Sequence, residues 1–206
     1  MGKGKFIIMA WFLAGMFFNF EMNFGVFTPP IIFLGLILTK NAKLFKSIYF
    51  WIGALIFIAA LLPQILFDLR HQFIMSKALV GFLMENKGSA FNPLGKIYPV
   101  LQSFYNTFLP TMMNKKILVI SVLLLSIPVL RKFLFAGKKD IIVVVSLLYV
   151  LIPFIGYLII PVTVNPWHLG GPMAALLILI AFIIFSLRQF NFFGKIFSIS
   201  LSIVLV

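Results

Sequence analysis

Gln64, Asp68 and His71 stand at positions i, i+4 and i+7, a spacing that lines an amide, a carboxylate and an imidazole along one face of a helix. Such a stripe can hold a polar headgroup or transfer a proton, and lipid beside it would leave its polar atoms unpaired. The plainer reading is a cap at a helix end, with Asp68 and His71 bonding each other and the nearby backbone. Arg70 lies within the same segment. The chain carries 14 lysines and 3 arginines, and a guanidinium grips a phosphate through paired hydrogen bonds where an ammonium acts as a point charge. Arg70 is therefore a candidate for a lipid phosphate, against the alternative of a side chain that only reaches from a helix end towards water.

His168 occupies Asn165-Pro166-Trp167-His168-Leu169-Gly170-Gly171-Pro172, a short turn entering a helix. A helix N-terminus attracts anions, and an imidazole there would add to the pull. Trp167 and His168 equally fit an interfacial aromatic belt. Glu21 is the one charge between Phe6 and Leu38, either a catalytic acid or a polar turn residue, and its position favours the turn. Cysteine is absent, which excludes disulfides and thiolate metal sites. No phosphate-binding glycine loop, metal-ligand spacing or Ser-His-Asp arrangement occurs, and no metal site is expected.

The elements that must position these residues are membrane-spanning. Of 206 residues 63% are hydrophobic and 10% charged, with a mean hydropathy of +1.16, which leaves no aqueous surface of ordinary size. The sequence predicts an all-α polytopic transmembrane bundle of about seven hydrophobic segments, forming a single domain over residues 1–206. Phe6 to Leu38 is too long for one span of about 30 Å and short for two. It reads as two short helices about the break Asn19-Phe20-Glu21-Met22-Asn23, with one long tilted helix as the alternative. Ile48–Phe67, Ile117–Leu130, Ile141–Ile160 and Gly170–Leu187 follow. Ile196–Val206 is too short to cross a bilayer and reads as a helix cut off, so a piece of a longer protein is expected. Residues 70–116 form the one long polar stretch, an outer loop with two candidate interfacial helices, Phe73–Met84 and Tyr98–Met113. Met1-Gly-Lys-Gly-Lys5 before an apolar run resembles the start of a signal peptide, but no small-residue cleavage site follows.

Charge orients the segments. With the N-terminus in the cytoplasm and one crossing per run, eleven of the 17 basic residues fall inside. The other six all lie in the long loop or at its edges, so the short loops obey the positive-inside rule. The outer face then collects Glu21, Asp68, Arg70, His71, Glu85 and His168, and Asp140 is the single acid inside. The net charge of +13 flanks apolar runs and does not line one surface, which excludes nucleic acid as a partner. Membrane lipids are the partner that the composition requires.

The stretch Leu62-Pro63-Gln64-Ile65-Leu66-Phe67-Asp68-Leu69-Arg70-His71-Gln72-Phe73 resembles a segment of the bacterial polyprenyl-phosphate-sugar-dependent glycosyltransferases. These polytopic enzymes of GT-C type are related to protein O-mannosyltransferases and the lipid A aminoarabinose transferase. In them a helix ending in Pro-x-x-x-Phe-(Asp/Glu)-x-Arg-His precedes a long outer loop with interfacial helices. The break from Asn19 to Gly25 before Pro29-Pro30 is similar to an earlier helix pair, and Asn165-Pro166-Trp167-His168 to a later segment. The resemblance implies a polyprenyl-phosphate sugar as donor and a bacterial-type plasma membrane as location. Arg70, His71, Asp68, Gln64 and His168 would bind the lipid phosphate or sugar. It also implies that the catalytic carboxylate lies outside this chain and that the chain alone is inactive. A multi-pass transporter or flippase is the competing reading, and it predicts discontinuous helices and polar residues near mid-bilayer. A non-catalytic membrane scaffold is the third.

Overall fold

Backbone amides in a medium without water must be satisfied within the chain. The computed structural model describes residues 3–85, 92–111, 140–160 and 164–187, and these form helices and short turns, with no strand. The helices are α1 (Lys3–Phe20), α2 (Met22–Leu38), α3 (Ile48–Arg70), α4 (Ile74–Glu85), α5 (Pro93–Thr111), α6 (Ile141–Ile159) and α7 (Gly170–Leu187). Short 3-10 turns at Ala42–Lys46 and Pro166–Leu169 lead into α3 and α7.

Three stretches are long and apolar enough to cross a membrane: Ile48–Arg70, Ile141–Ile159 and Pro166–Ser186. Gly4–Phe20 and Gly25–Leu38 are apolar but shorter. Five of the seven predicted runs are thus helices of the described residues, three of them of spanning length. Ile117–Leu130 and Ile196–Val206 lie outside the described residues.

The run from Phe6 to Leu38 is two helices. Glu21 is extended (φ −147°, ψ 97°) and the chain reverses there. Gly25 lets α2 return against α1, because a Cβ on it would collide with the Phe18 backbone. Pro29 and Pro30 sit inside α2, Pro63 inside α3 and Pro153 inside α6, and each helix continues beyond its proline.

Residue pairings give the directions. Gly15 lies against Ala60 and Gly53 against Trp11, so α1 and α3 run parallel. Phe27 packs on Gly156 while Gly35 lies beside Val145, so α2 and α6 are antiparallel. Tyr157 stacks on His168, which places the start of α7 beside the end of α6. Helices α1, α3 and α6 therefore run one way and α2 and α7 the other.

Two cores result, and α2 contributes to both. Ile7, Trp11, Leu36 and Phe50 fill the α1–α2–α3 side. Phe27, Ile31, Val144, Leu148, Leu169 and Ile180 fill the α2–α6–α7 side. Trp11 meets Phe33, Phe50 and Phe57 edge-on with ring centroids 5.5–5.9 Å apart. Small residues at the crossings let the backbones approach, which is how apolar helices associate where the surroundings are as apolar as they are.

Candidate functional site

Glu21, Tyr157, His168 and the last turn of α3 all lie at the end of the bundle where α1, α3 and α6 finish. The 3-10 turn Ala42–Lys46 and Asp140 belong to the opposite end. The candidate residues thus share one end. They divide into two groups there, because α3 packs on α1 whereas His168 packs on α6.

In the first group, Gln64 donates from Nε2 to the Phe18 carbonyl at 3.5 Å, tying α3 to the end of α1. Asn19 makes the reciprocal tie, donating to the Ala60 carbonyl at 2.7 Å. Asp68 caps the next helix. Its Oδ1 accepts from the Met75 amide at 2.7 Å, and its carboxylate also accepts from the amide and hydroxyl of Ser76. Between α3 and α4, Gln72 (φ 55°) and Phe73 (φ 61°) both adopt the left-handed conformation, which is costly outside glycine. The Asp68 cap and the Phe73 amide, bonded to the Asp68 carbonyl at 2.8 Å, hold that turn.

His71 ends α3 as its C-cap and is therefore the last residue the helix can orient. Its Nδ1 lies 2.7 Å from the Phe67 carbonyl, and its ring stacks on Phe67 with centroids 4.0 Å apart. A carbonyl only accepts, so Nδ1 carries a proton in that bond and the neutral ring presents Nε2 as an acceptor. The stripe inferred from spacing is therefore present in register but engaged one residue at a time. Gln64 and Asp68 serve structure, and His71 keeps one nitrogen available. Arg70 is exposed, and its guanidinium makes no hydrogen bond or ion pair among the described residues.

In the second group, Asn165 and His168 form a reciprocal cap of the 3-10 turn, the Asn165 amide donating to His168 Nδ1 at 3.3 Å. Tyr157 donates from its hydroxyl to the His168 carbonyl at 3.0 Å. The imidazole is thus half-buried and held between Tyr157 and Trp167. Glu21 stands beside the start of α7: an added Cβ on Gly170 would lie 3.8 Å from Glu21 Oε2. The chain's own carboxylate therefore occupies the neighbourhood in which sequence reasoning placed an external anion. Glu21 makes no cap bond to its own helix.

Two participants were not singled out from the sequence. Tyr157 sits in an apolar run where aromatics are common, and Lys96 sits in the long loop. Lys96 donates from Nζ to the Ile160 carbonyl at 2.9 Å, a cation on the C-terminus of α6. A tyrosine near the end of an apolar run, 11 residues before the histidine of the following turn, is the one sequence signal for the first. Glu85 lies at the end of α4, and its side chain is outside the described residues. Among the described residues no group of three His, Cys, Asp or Glu can hold a metal ion.

No family model, curated protein or solved structure matches the chain. The helices and the side-chain geometry are therefore what a functional reading rests on.

Proposed function

We propose that this chain is part of an integral membrane glycosyltransferase that transfers a sugar from a polyprenyl-phosphate donor, and that Arg70 binds the donor phosphate. The observation that carries the reading is the uncompensated guanidinium of Arg70 at the end of an apolar helix. Asp68, the acid two residues away, is committed to capping α4 and does not neutralise it. A phosphate at headgroup depth supplies the paired acceptors that a guanidinium fits. Next to it, His71 Nε2 can donate to the same phosphate when the ring is protonated.

The transfer is an inverting displacement. The acceptor oxygen attacks the anomeric carbon, the bond from that carbon to the phosphate oxygen breaks, and polyprenyl phosphate leaves with the electron pair. Arg70 stabilises the charge growing on that leaving oxygen. The carboxylate that takes the acceptor proton lies, on the same resemblance, outside these residues. The proposal places the Glu21, Arg70 and His168 end on the outer face of a bacterial-type plasma membrane. The continuity of α2, α3 and α6 through their prolines supports this reading over a transporter built on broken helices.

The test is photo-crosslinking of the full chain, reconstituted in vesicles, with a photoreactive polyprenyl phosphate. Arg70→Ala is expected to lower labelling about tenfold, the loss of one charge-assisted hydrogen-bonded contact. Equal labelling of the variant and the parent chain overturns the assignment of Arg70.

A further inference from the structure

Of the acids whose side chains the structure describes, all but Glu21 are engaged. Asp68 caps α4, and Asp140 accepts from the Ile142 amide at 2.8 Å at the start of α6. Glu21, half-buried in the turn between α1 and α2, makes no hydrogen bond or ion pair through its carboxylate among the described residues. Its surroundings do not neutralise it. Lys96 gives its ammonium to the Ile160 carbonyl, and Tyr157 gives its hydroxyl to the His168 carbonyl. His168 accepts at Nδ1 from the Asn165 amide, so that nitrogen carries no proton and the ring no charge. The N-terminus of α7 beside Glu21 offsets about half a charge and leaves the rest. A carboxylate drawn partly out of water is costly unless a cation and hydrogen-bond donors meet it.

An aromatic face stands next to this carboxylate. Helix α2 packs against the Pro166–Leu169 turn. That turn is 3-10, in which side chains three apart eclipse each other, so Trp167 and Gly170 share a side. A Cβ added to Gly170 would lie 3.8 Å from Glu21 Oε2, which puts the carboxylate on that side too. The Trp167 indole is 66% exposed and stands one turn away, about 6 Å of rise.

We propose that Glu21 and Trp167 form a site for a primary ammonium group, carried by a membrane lipid or a small amine. The ammonium supplies the missing charge and donates N–H bonds to the carboxylate oxygens, while the indole face attracts the cation from its other side. A neutral hydroxyl would leave the charge unmet. A divalent metal wants more oxygen ligands than one carboxylate, and the described residues hold no such group. A quaternary ammonium lacks N–H groups, so an ethanolamine headgroup fits better than a choline headgroup. The site stands at the end of two apolar helices, at the depth where lipid headgroups lie. It is separate from Arg70, to which the proposed function assigns a phosphate, and does not depend on glycosyl transfer.

The test is native mass spectrometry of the full chain in detergent, titrated with short-chain phosphatidylethanolamine or phosphatidylcholine, which differ only in the methyl groups on nitrogen. The ethanolamine lipid is expected to bind about tenfold more tightly, the worth of a charge-assisted hydrogen bond. Glu21→Gln is expected to erase that preference, Glu21→Asp to keep most of it, and Trp167→Leu to weaken both lipids several-fold. Equal affinity of the parent chain for the two lipids overturns the inference, and so does a preference that survives Glu21→Gln. Unchanged binding in Trp167→Leu overturns the part given to the indole. Butylammonium separates the two sources of the ammonium. Competition at the lipid's own concentration supports a soluble amine, competition only in large excess supports the headgroup, and no competition at any concentration overturns the ammonium as the recognised group. Circular dichroism checks the helical content of each variant; where a variant loses it, the parent chain's preference between the two lipids decides alone.

Discussion

Asp68 spends its acceptor capacity on the first turn of α4, and this decides what its neighbours are free to do. A carboxylate paired with Arg70 would leave an ion pair at the helix end and little affinity for a phosphate. A carboxylate that caps α4 leaves the guanidinium uncompensated and steadies the turn through Gln72 and Phe73. Asp68→Ala is expected to release the Met75 and Ser76 amides, read as faster hydrogen exchange at those two residues with α5 unchanged. If both amides keep their protection, the cap is not what orders α4. The variant also separates structure from binding, since labelling by polyprenyl phosphate should survive it far better than it survives Arg70→Ala.

The helices were legible from the sequence to the extent that a membrane simplifies them. Apolar runs of bilayer length at Ile48–Arg70 and Ile141–Ile159 have one conformation that satisfies their amides, so composition and length suffice. The break at Glu21 was legible because a charge and two asparagines interrupt an apolar run, with a glycine just beyond. The start of α5 was not: Asn92-Pro93 reads as a turn, whereas Asn92 caps the Gly95 amide at 2.9 Å and Pro93 opens the helix. The candidate site was legible as a set of residue types at one end. Its division was not, because side-chain partners such as Ser76 for Asp68 and Tyr157 for His168 depend on where a chain turns. Which helices touch is likewise a matter of packing that hydropathy does not carry. Gly53 and Gly81 show the difference. A Cβ on Gly53 would stand 2.5 Å from Cδ1 of the buried Trp11, at the crossing that holds α3 to α1, whereas Gly81 in α4 has nothing within 4 Å. Gly53→Ala is expected to destabilise the chain by about 1–3 kcal/mol through overpacking, and Gly81→Ala to strengthen its helix by about 0.5–1 kcal/mol. Thermal unfolding of the detergent-solubilised chain measures both. A neutral Gly53→Ala would mean that α1 and α3 do not pack as closely as this crossing requires.

Across the whole molecule, charge and chemistry separate by end. Lys5, Lys40, Lys43 and Lys46 lie with Asp140 at the end where α1 and α3 begin. Glu21, Arg70, His71 and His168 lie at the other, with α5 held beside them by Lys96. Short basic loops resist translocation, so the lysine-rich end is the one expected to remain in the cytoplasm. Under the proposed function the opposite end meets the periplasmic side, where a lipid-linked sugar would reach Arg70 from within the bilayer. The two ends can be told apart with a membrane-impermeant thiol reagent, using Ala42→Cys in the short turn before α3 and Trp167→Cys beside His168. In intact cells with a permeabilised outer layer, Trp167→Cys is expected to react at once and Ala42→Cys only after the inner membrane is opened. The reverse order would put Arg70 on the cytoplasmic side. Glycosyl transfer at the outer face would then be lost as an explanation, while the packing of α5 on α6 would stand, because it does not depend on which side either end faces.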